Sequence, residues 1–276
     1  MQLACPVCKS ALLQQGKNLC CENRHSFDAA RQGYWNLLLS HKKRSKDPGD
    51  NAEMVTARRQ FLDKGFYSPL SDRINTLAIQ ALEGCSSPTV LDMGCGEGYY
   101  TSLLDNALKN DGISADMVGL DISKHAVKAA CQRSKEITWL VASGADIPIP
   151  EQSLDLQLVL FSRLMPEAFA KPMKTGAYLL VAWPAEDHLI ELRKLIYKEI
   201  KPSHFSPEDT LKEQFTLQQQ ERVTYNFKLQ NSEEINTLLG MTPHSQRLSS
   251  EAKQNICNQN ELSLTLDVNL GLFTRL

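Results

Sequence analysis

Four side chains near the start of the chain have the types and spacing of a metal centre. Cys5 and Cys8 form a Cys-x2-Cys pair, and twelve residues later Cys21 and His25 form a Cys-x3-His pair. Zinc favours four tetrahedral nitrogen or sulfur ligands, and two close pairs on facing turns supply them. Cys20 competes with Cys21 for the third position. Adjacent residues of a strand point to opposite sides, so only one of the two can face the metal, and the x3 spacing to His25 favours Cys21. A Cys-x-x-Cys pair can also be a redox dithiol, but the βαβ pattern that accompanies such a site is missing around it. With all four positions filled by protein, the metal is expected to be structural rather than catalytic.

A second constellation is the run Val90-Leu91-Asp92-Met93-Gly94-Cys95-Gly96-Glu97-Gly98-Tyr99-Tyr100, between an expected strand and an expected helix. Gly94, Gly96 and Gly98 let the backbone turn sharply and approach a ligand closely. Asp92 precedes the loop, and Asp121 closes the next strand in Gly119-Leu120-Asp121. A carboxylate there can accept hydrogen bonds from both hydroxyls of a ribose. The D-x-G-C-G-x-G spacing differs from G-x-G-x-x-G, and no pyrophosphate-cradling pattern follows. It resembles the loop of class I S-adenosylmethionine-dependent methyltransferases. That resemblance implies that the loop packs against the methionine portion of the cofactor and that Asp121 holds its ribose. Members of the class often carry an acid after the third strand. Here Ser143 stands in its place, with Asp146 nearby.

The elements that must position these residues follow from periodicity. Residues 1–33 have few core-forming side chains and read as short strands and turns that would not fold unaided. A polar connector holds His41-Lys42-Lys43-Arg44-Ser45-Lys46 and Asp47-Pro48-Gly49-Asp50, and a helix is expected from Ala52 to Asp63. From residue 70 helices and strands alternate: helices over 70–82, 100–108, 126–133 and 189–198, strands over 89–92, 117–121, 137–142, 154–161 and 177–182. Alternation of this kind predicts an α/β fold, a doubly wound parallel sheet covered on both faces. The tail differs, with strands over 215–229 and 262–273 flanking a helix near 233–239, which suits an antiparallel addition at the sheet edge. The expected organisation is a zinc-ribbon-like module at 1–33, a basic linker and helix at 34–69, and a Rossmann-like methyltransferase domain at 70–276.

The balance of charge is −2 with a pI near 6.3, which excludes a wholly basic nucleic-acid-binding surface and leaves room for a local patch. No apolar run approaches the roughly 18 residues of a membrane span. Cys5, Cys8 and Lys9 occupy the place of a signal peptide's apolar stretch, so a cytoplasmic protein with reduced thiols is expected. Lys42-Lys43-Arg44 and Arg58-Arg59 could neutralise phosphates, and Tyr34, Trp35, Phe66 and Tyr67 could stack on bases or serve the core.

Several joined segments carry a closer likeness: Cys5-Pro6-x-Cys8, Cys21-x3-His25-Ser26-Phe27-Asp28, Gly33-Tyr34-x-Asn36-Leu37-Leu38, the run His41 to Asp50, and Met54, Ala57-Arg58-Arg59, Phe61-Leu62, Gly65 and Tyr67. Together with the glycine-rich loop they resemble the RlmA-type large-subunit (23S) ribosomal RNA guanine-N1 methyltransferases, from about Cys5 to Tyr197 and more faintly beyond. The resemblance implies methyl transfer from S-adenosylmethionine to N1 of a guanine in an RNA hairpin, and a homodimer with a cleft lined by the zinc modules. It implies zinc on Cys5, Cys8, Cys21 and His25, and cofactor contacts from Tyr67, Gly96, Glu97 and His188. No catalytic base is identified. The family's Arg-Ile-Tyr/Phe-x-Pro segment after the fourth strand reads Val159-Leu160-Phe161-Ser162-Arg163 here, so Val159 replaces arginine and Arg163 replaces proline. Two other readings keep parts of this picture: a small-molecule methyltransferase with the zinc module as lid, and an RNA-binding relative without catalysis.

Overall fold

The computed structural model describes residues 2–43, 45–201, 205–242, 248–257 and 259–276, so Arg44 of the basic run lies outside the described residues. The N-terminal segment forms four short antiparallel strands in the order β1 (Leu3–Ala4), β2 (Ala11–Gln15), β3 (Asn18–Cys20) and β4 (Ser26–Asp28). Strands this short cannot enclose a core. Their buried side chains, Leu3, Leu12 and Leu19, instead join an apolar cluster with Leu140, Ile147 and Ile149 of the larger domain. The backbone joins too, through the bond from Ala4 N–H to Pro148 O at 3.0 Å.

The next strand, β5 (Trp35–Asn36), leaves the small module and enters the main sheet. There it pairs in parallel with β8 (Thr138–Val141), at the sheet's edge. The remaining strands are β6 (Thr89–Met93), β7 (Asp116–Asp121), β9 (Leu154–Leu160), β10 (Met173–Pro184), β11 (Phe215–Leu229) and β12 (Leu262–Arg275). Among the described residues their order is β11-β12-β10-β9-β6-β7-β8-β5. Strands β5 to β10 run parallel, while β12 is antiparallel to both β10 and β11, as the tail's pattern predicts.

Helices cover the sheet: α1 (Ala52–Leu62), α2 (Ser68–Ala81), α3 (Tyr99–Asn110), α4 (Lys124–Ala130), α5 (Pro166–Ala170), α6 (Ile190–Ile196), α7 (Pro207–Leu211), α8 (Ser232–Met241) and α9 (Ser250–Cys257). Several begin where a polar side chain accepts a free backbone N–H. Asn51 caps α1 through Met54 N–H, Ser123 caps α4 through Ala126 N–H, and Asn231 caps α8 through Glu234 N–H. One face of the sheet packs with Phe61, Leu70, Leu104 and Trp139, the other with Leu91, Val118, Val159 and Phe169. Burial on both faces is why the parallel strands read as continuous apolar runs.

Two expected helices are shorter than their periodicity suggests. The one expected over 126–133 ends at Ala130, and Arg133 turns back toward the glycine loop. The one expected over 189–198 spans only Ile190–Ile196, with Leu189 at φ +51° ahead of it. The order of winding reverses between β6 and β9. The loops leaving the carboxyl ends of these two strands therefore face one another across a crevice, which is where open α/β sheets place ligands.

Gly119 in β7 is a sensitive point of this packing. A Cβ placed on it would lie 2.2 Å from Cζ3 of the buried Trp139. Gly119→Ala is expected to lower stability by about 1–3 kcal/mol through overpacking. Urea unfolding checks this as a lower midpoint at unchanged slope; an unshifted midpoint would show that Trp139 has room to move.

Candidate functional site

The N-terminal cysteines converge as their spacing predicts. One ligand atom from each of Cys5, Cys8, Cys21 and His25 lies within 4.8 Å of all the others. Cys8 Sγ and Cys21 Sγ are 3.7 Å apart, and His25 Nδ1 lies 3.3 Å from Cys21 Sγ and 3.6 Å from Cys5 Sγ. Zinc at about 2.3 Å from sulfur and about 2.0 Å from nitrogen gives tetrahedral edges of about 3.8 Å and 3.5 Å. The four donors therefore fit zinc, bound through the Nδ1 nitrogen of His25. Cys20 points away toward Ser26 Oγ. Each knuckle carries a residue in the left-handed region, Lys9 beside Cys8 and Arg24 beside His25. The Ser10 hydroxyl and the Asn23 amide push the Cys8 thiol down to about 5, toward the thiolate that a metal requires.

The glycine loop is held by hydrogen bonds to the neighbouring strand. Gly94 N–H and Cys95 N–H both donate to Leu120 O, at 2.8 and 3.1 Å. Gly96 N–H donates to Asp121 Oδ2 at 2.9 Å, and Ser123 N–H donates to Asp121 Oδ1 at 2.7 Å. All three glycines have positive φ, and a Cβ on Gly98 would lie 2.7 Å from Trp139. The loop is thus a cradle that side chains would fill, as close approach of a cofactor requires. Burial pushes the Asp121 carboxyl up, opposed by the Ser123 and Gly96 N–H groups. Each of its oxygens keeps capacity for a second donor, such as a ribose hydroxyl.

Asp92 and Glu97 shape the loop through their side chains. Asp92 is buried, its Oδ2 accepting from Thr101 Oγ1 at 2.6 Å, and burial pushes its carboxyl up to about 7. Glu97 is 1% exposed and ion-paired with Arg133, which also donates to Asp63 Oδ1 at 2.8 Å. Neither role is visible in the spacing of the glycine motif.

Beside the loop lies a cavity of about 900 Å³ whose walls include Arg58, Tyr67, Tyr100, Phe161 and His188. Tyr67 is buried, with its ring edge-on to His188 at 6.4 Å, so these two positions are brought together from α1's exit and from the loop after β10. His188 Nδ1 accepts from Asp267 N–H at 3.3 Å. The cavity is not lined by Gly94–Gly98 or Asp121. Arg58 joins the two regions, ion-paired with Asp50 and placed 3.7 Å from where a Gly96 Cβ would stand.

Comparison with known proteins accounts for both halves. Residues 3–46 match the zinc-ribbon family described as RlmA, N-terminal, and residues 90–175 match a methyltransferase domain. A Bacillus subtilis (strain 168) protein, named as a candidate 23S rRNA (guanine-N(1)-)-methyltransferase, is 31% identical over 273 residues, covering 96% of this chain and 94% of its own. The chain belongs to the 23S rRNA guanine-N1 methyltransferase family. A Streptomyces fradiae 23S rRNA (guanine(748)-N(1))-methyltransferase is 34% identical over 191 residues, 69% of this chain and 66% of that one. A Micromonospora griseorubida relative is 31% identical over 261 residues, 87% of this chain and 85% of its own. The fold is accordingly that of a class I methyltransferase with an N-terminal zinc ribbon, and its cofactors are S-adenosylmethionine and structural zinc.

Within this methyltransferase the two family departures are not among the residues that line the cavity. Val159 is fully buried in the apolar cluster, and Arg163 is exposed. The basic residues are more committed than their sequence suggests. Lys42 Nζ and Lys9 Nζ each reach an oxygen of Asp146 at 2.5 Å, clasping the ribbon and linker to the segment after β8. Asp146 is thereby engaged in ion pairs, and Lys43 remains exposed. Arg59 donates to Gln132 Oε1 at 2.7 Å. Of the aromatics, Tyr34 and Tyr67 are core residues, and Phe66 packs on Phe61 and Phe227. The Asp47-Pro48-Gly49-Asp50 run also has a specific place. Ser123 Oγ donates to Asp50 O at 2.6 Å, and a Cβ on Gly49 would strike Ser123 Cβ at 2.8 Å.

Two measurements test this site. Cys8→Ser is expected to reduce bound zinc well below one per chain, about one being held by the parent protein. Metal analysis and thermal melting read the outcome; full occupancy in the variant would remove Cys8 from the ligand set. For Asp92 the folded chain holds its proton more tightly than the unfolded chain does. Its contribution is therefore complete below pH of about 4 and lost as pH rises through about 7. Asp92→Asn should gain stability relative to the parent between pH of about 5 and about 8, measured by urea unfolding at both. A pH-independent difference would place the carboxyl in a hydrated setting.

Proposed function

We propose that the protein methylates N1 of a guanine in a hairpin of 23S ribosomal RNA. The observation that carries this reading is the match over 96% of this chain to a relative named as a candidate for that reaction, in a chain whose cavity adjoins the glycine cradle at the sheet's switch point. The proposed cofactor residues are the backbone of Gly94, Gly96 and Gly98 around the methionine portion, Asp121 for the ribose, and Tyr67 and His188 on the cavity side. Asp92 and Glu97 support that cradle, Asp92 through Thr101 and Glu97 through Arg133.

S-adenosylmethionine supplies a methyl group already activated on a sulfonium, so the protein's task is alignment of the acceptor. Guanine N1 carries a proton at neutral pH, which must leave as the N–C bond forms. That demands a proton acceptor, or groups that stabilise the anion spread toward O6. Among the described residues lining the cavity, the carboxylates are Glu186 and Asp187, while Arg193 and Lys194 bring positive charge to the same wall. Asp187 lies 3.7 Å from Arg222, and Arg193 Nη1 donates to Glu186 O at 2.7 Å. The wall therefore offers both signs of charge to the polar edge of a base.

No described helix is long and apolar enough to cross a membrane. The working form proposed here is a cytoplasmic homodimer, with the RNA in a cleft between zinc modules. The test is methyl transfer from labelled S-adenosylmethionine to unmodified 23S ribosomal RNA, followed by nucleoside digestion and mass spectrometry. The expected product is 1-methylguanosine. Methyl on another atom, or none despite demonstrable cofactor binding, would sink the reading.

A further inference from the structure

Arg58 and Arg59 are neighbours on α1, yet they turn in different directions. Arg59 reaches Gln132 and the carbonyl of Ala129 at the end of α4. Arg58 is half-buried and lies across the glycine loop, its Nη1 3.7 Å and its Cδ 4.0 Å from where a Gly96 Cβ would stand. Its positive charge is felt by the Asp121 carboxyl and by the Tyr100 hydroxyl, one at the end of β7 and the other on α3. Other cations line the same cavity, but Arg193, Lys194 and Lys201 come from α6 and the segment after it. Arg58 comes from the opposite end of the fold and meets the loop.

The guanidinium is anchored by two partners. Nη1 is ion-paired with Asp50 of the linker, and Nη2 donates to Met241 O at 3.4 Å, at the end of α8. Asp50 is itself fixed, because its carbonyl accepts from Ser123 Oγ at 2.6 Å. A guanidinium carries five N–H donors, so these two contacts leave others for a ligand in the cavity. The acids of the loop do not compete for them: Asp92 accepts from Thr101, and Glu97 is ion-paired with Arg133. What stands over Gly96 is an anchored cation with donors to spare.

The methionine portion of S-adenosylmethionine ends in an amino acid, with a carboxylate and an ammonium on one carbon. Arginine matches a carboxylate better than any other side chain, because its planar fork donates two parallel hydrogen bonds. We propose that Arg58 binds this α-carboxylate. The proposal rests on the seat of the methionine portion over Gly94, Gly96 and Gly98, and it is independent of the acceptor. The pairing with Asp50 also suits the charge of the donor. Its sulfonium is positive, and an uncompensated arginine nearby would repel it. Asp50 offsets that repulsion and leaves the remaining N–H donors in place. The linker from the zinc ribbon thereby reaches the cofactor site, which gives the Asp47-Pro48-Gly49-Asp50 run a task beyond joining two domains.

Calorimetry on the full chain tests this with two ligands, S-adenosylhomocysteine and its decarboxylated analogue, which keeps the ammonium and lacks only the carboxylate. The proteins are the parent, Arg58→Gln and Arg58→Lys. The parent should bind S-adenosylhomocysteine about 10- to 100-fold more tightly than the analogue, the range for hydrogen bonds to a charged group. Arg58→Gln should lose that preference through weaker S-adenosylhomocysteine binding, with affinity for the analogue within about twofold of the parent's. Arg58→Lys keeps the charge without the fork and should retain part of the preference. The analogue also controls for folding, since a merely structural role would weaken both ligands alike. Equal loss of both ligands in the two variants would overturn the proposal. So would a parent that binds the two alike, or a preference that survives Arg58→Gln. No RNA enters the measurement, so each of these results leaves the guanine reading to its own assay. Failure of the parent to bind either ligand would overturn the seat of the methionine portion along with Arg58.

Discussion

The hydrogen bond from Gly96 N–H to Asp121 is the constraint on which the site depends. It ties the loop after β6 to the end of β7, with Gly94 and Cys95 bonded beside it to Leu120 O. A loop of three left-handed glycines has little intrinsic preference for one shape, so its shape must be imposed from outside. The same carboxylate also accepts from Ser123, whose hydroxyl holds the carbonyl of Asp50. One carboxylate thereby connects the glycine cradle, the cap of α4 and the linker from the zinc ribbon. Arg58 completes the circuit by pairing with Asp50 while flanking Gly96 and the cavity. Loosening Asp121 would disturb all of these together.

The zinc ribbon solves a different problem. Its strands are two to five residues long and enclose few apolar side chains, so they cannot fold on burial alone. A zinc ion held by Cys5, Cys8, Cys21 and His25 would organise the two knuckles, and the module's buried leucines pack against the sheet domain. The Lys9–Asp146–Lys42 clasp and strand β5 fix the direction in which the chain leaves. Exposed ion pairs of this kind contribute little stability each. Their use here is to set orientation, and they engage Lys42, one of the cations that the sequence offers for phosphate binding.

Much of this was legible in the sequence because it follows from local rules. The zinc ligands obey ligand spacing: alternation lets only one of Cys20 and Cys21 face the cluster, and the x3 spacing to His25 selects Cys21. The order of helices and strands gives the doubly wound sheet, and the long β11 and β12 segments give its antiparallel edge. What escaped depends on partners distant in the chain. Glu97 pairs with Arg133, 36 residues later in the chain, a partner that the loop's spacing does not disclose. Strand β5 is two residues long and has no periodicity to read. Tyr67 and His188 are 121 positions apart, and only the resemblance to a family paired them; their edge-on contact is a product of the sheet. The departures at Val159 and Arg163 looked decisive in sequence, yet one is buried in the core and the other is exposed to solvent.

The C-terminal hairpin shows why a methyltransferase core alone is an incomplete description. The matched methyltransferase domain ends at residue 175, before β10 is finished and before His188, β11 and β12 begin. The matched segment contains the glycine cradle and Asp121, whereas the far wall of the cavity is built outside it. That wall is set by Asp267, a residue of β12 with no exposure, gripped by Arg222 and Thr224 of β11 and holding the loop at 185–189 in turn. A buried carboxylate satisfied by this many donors is rigid, because moving it would strand several charges and N–H groups away from water. The glycine loop and the far wall of the cavity are therefore held by two separate aspartates, Asp121 and Asp267. Phe161 and Ser162 lie at the seam between them, since one side of that turn packs on Gly94 and the other faces His188.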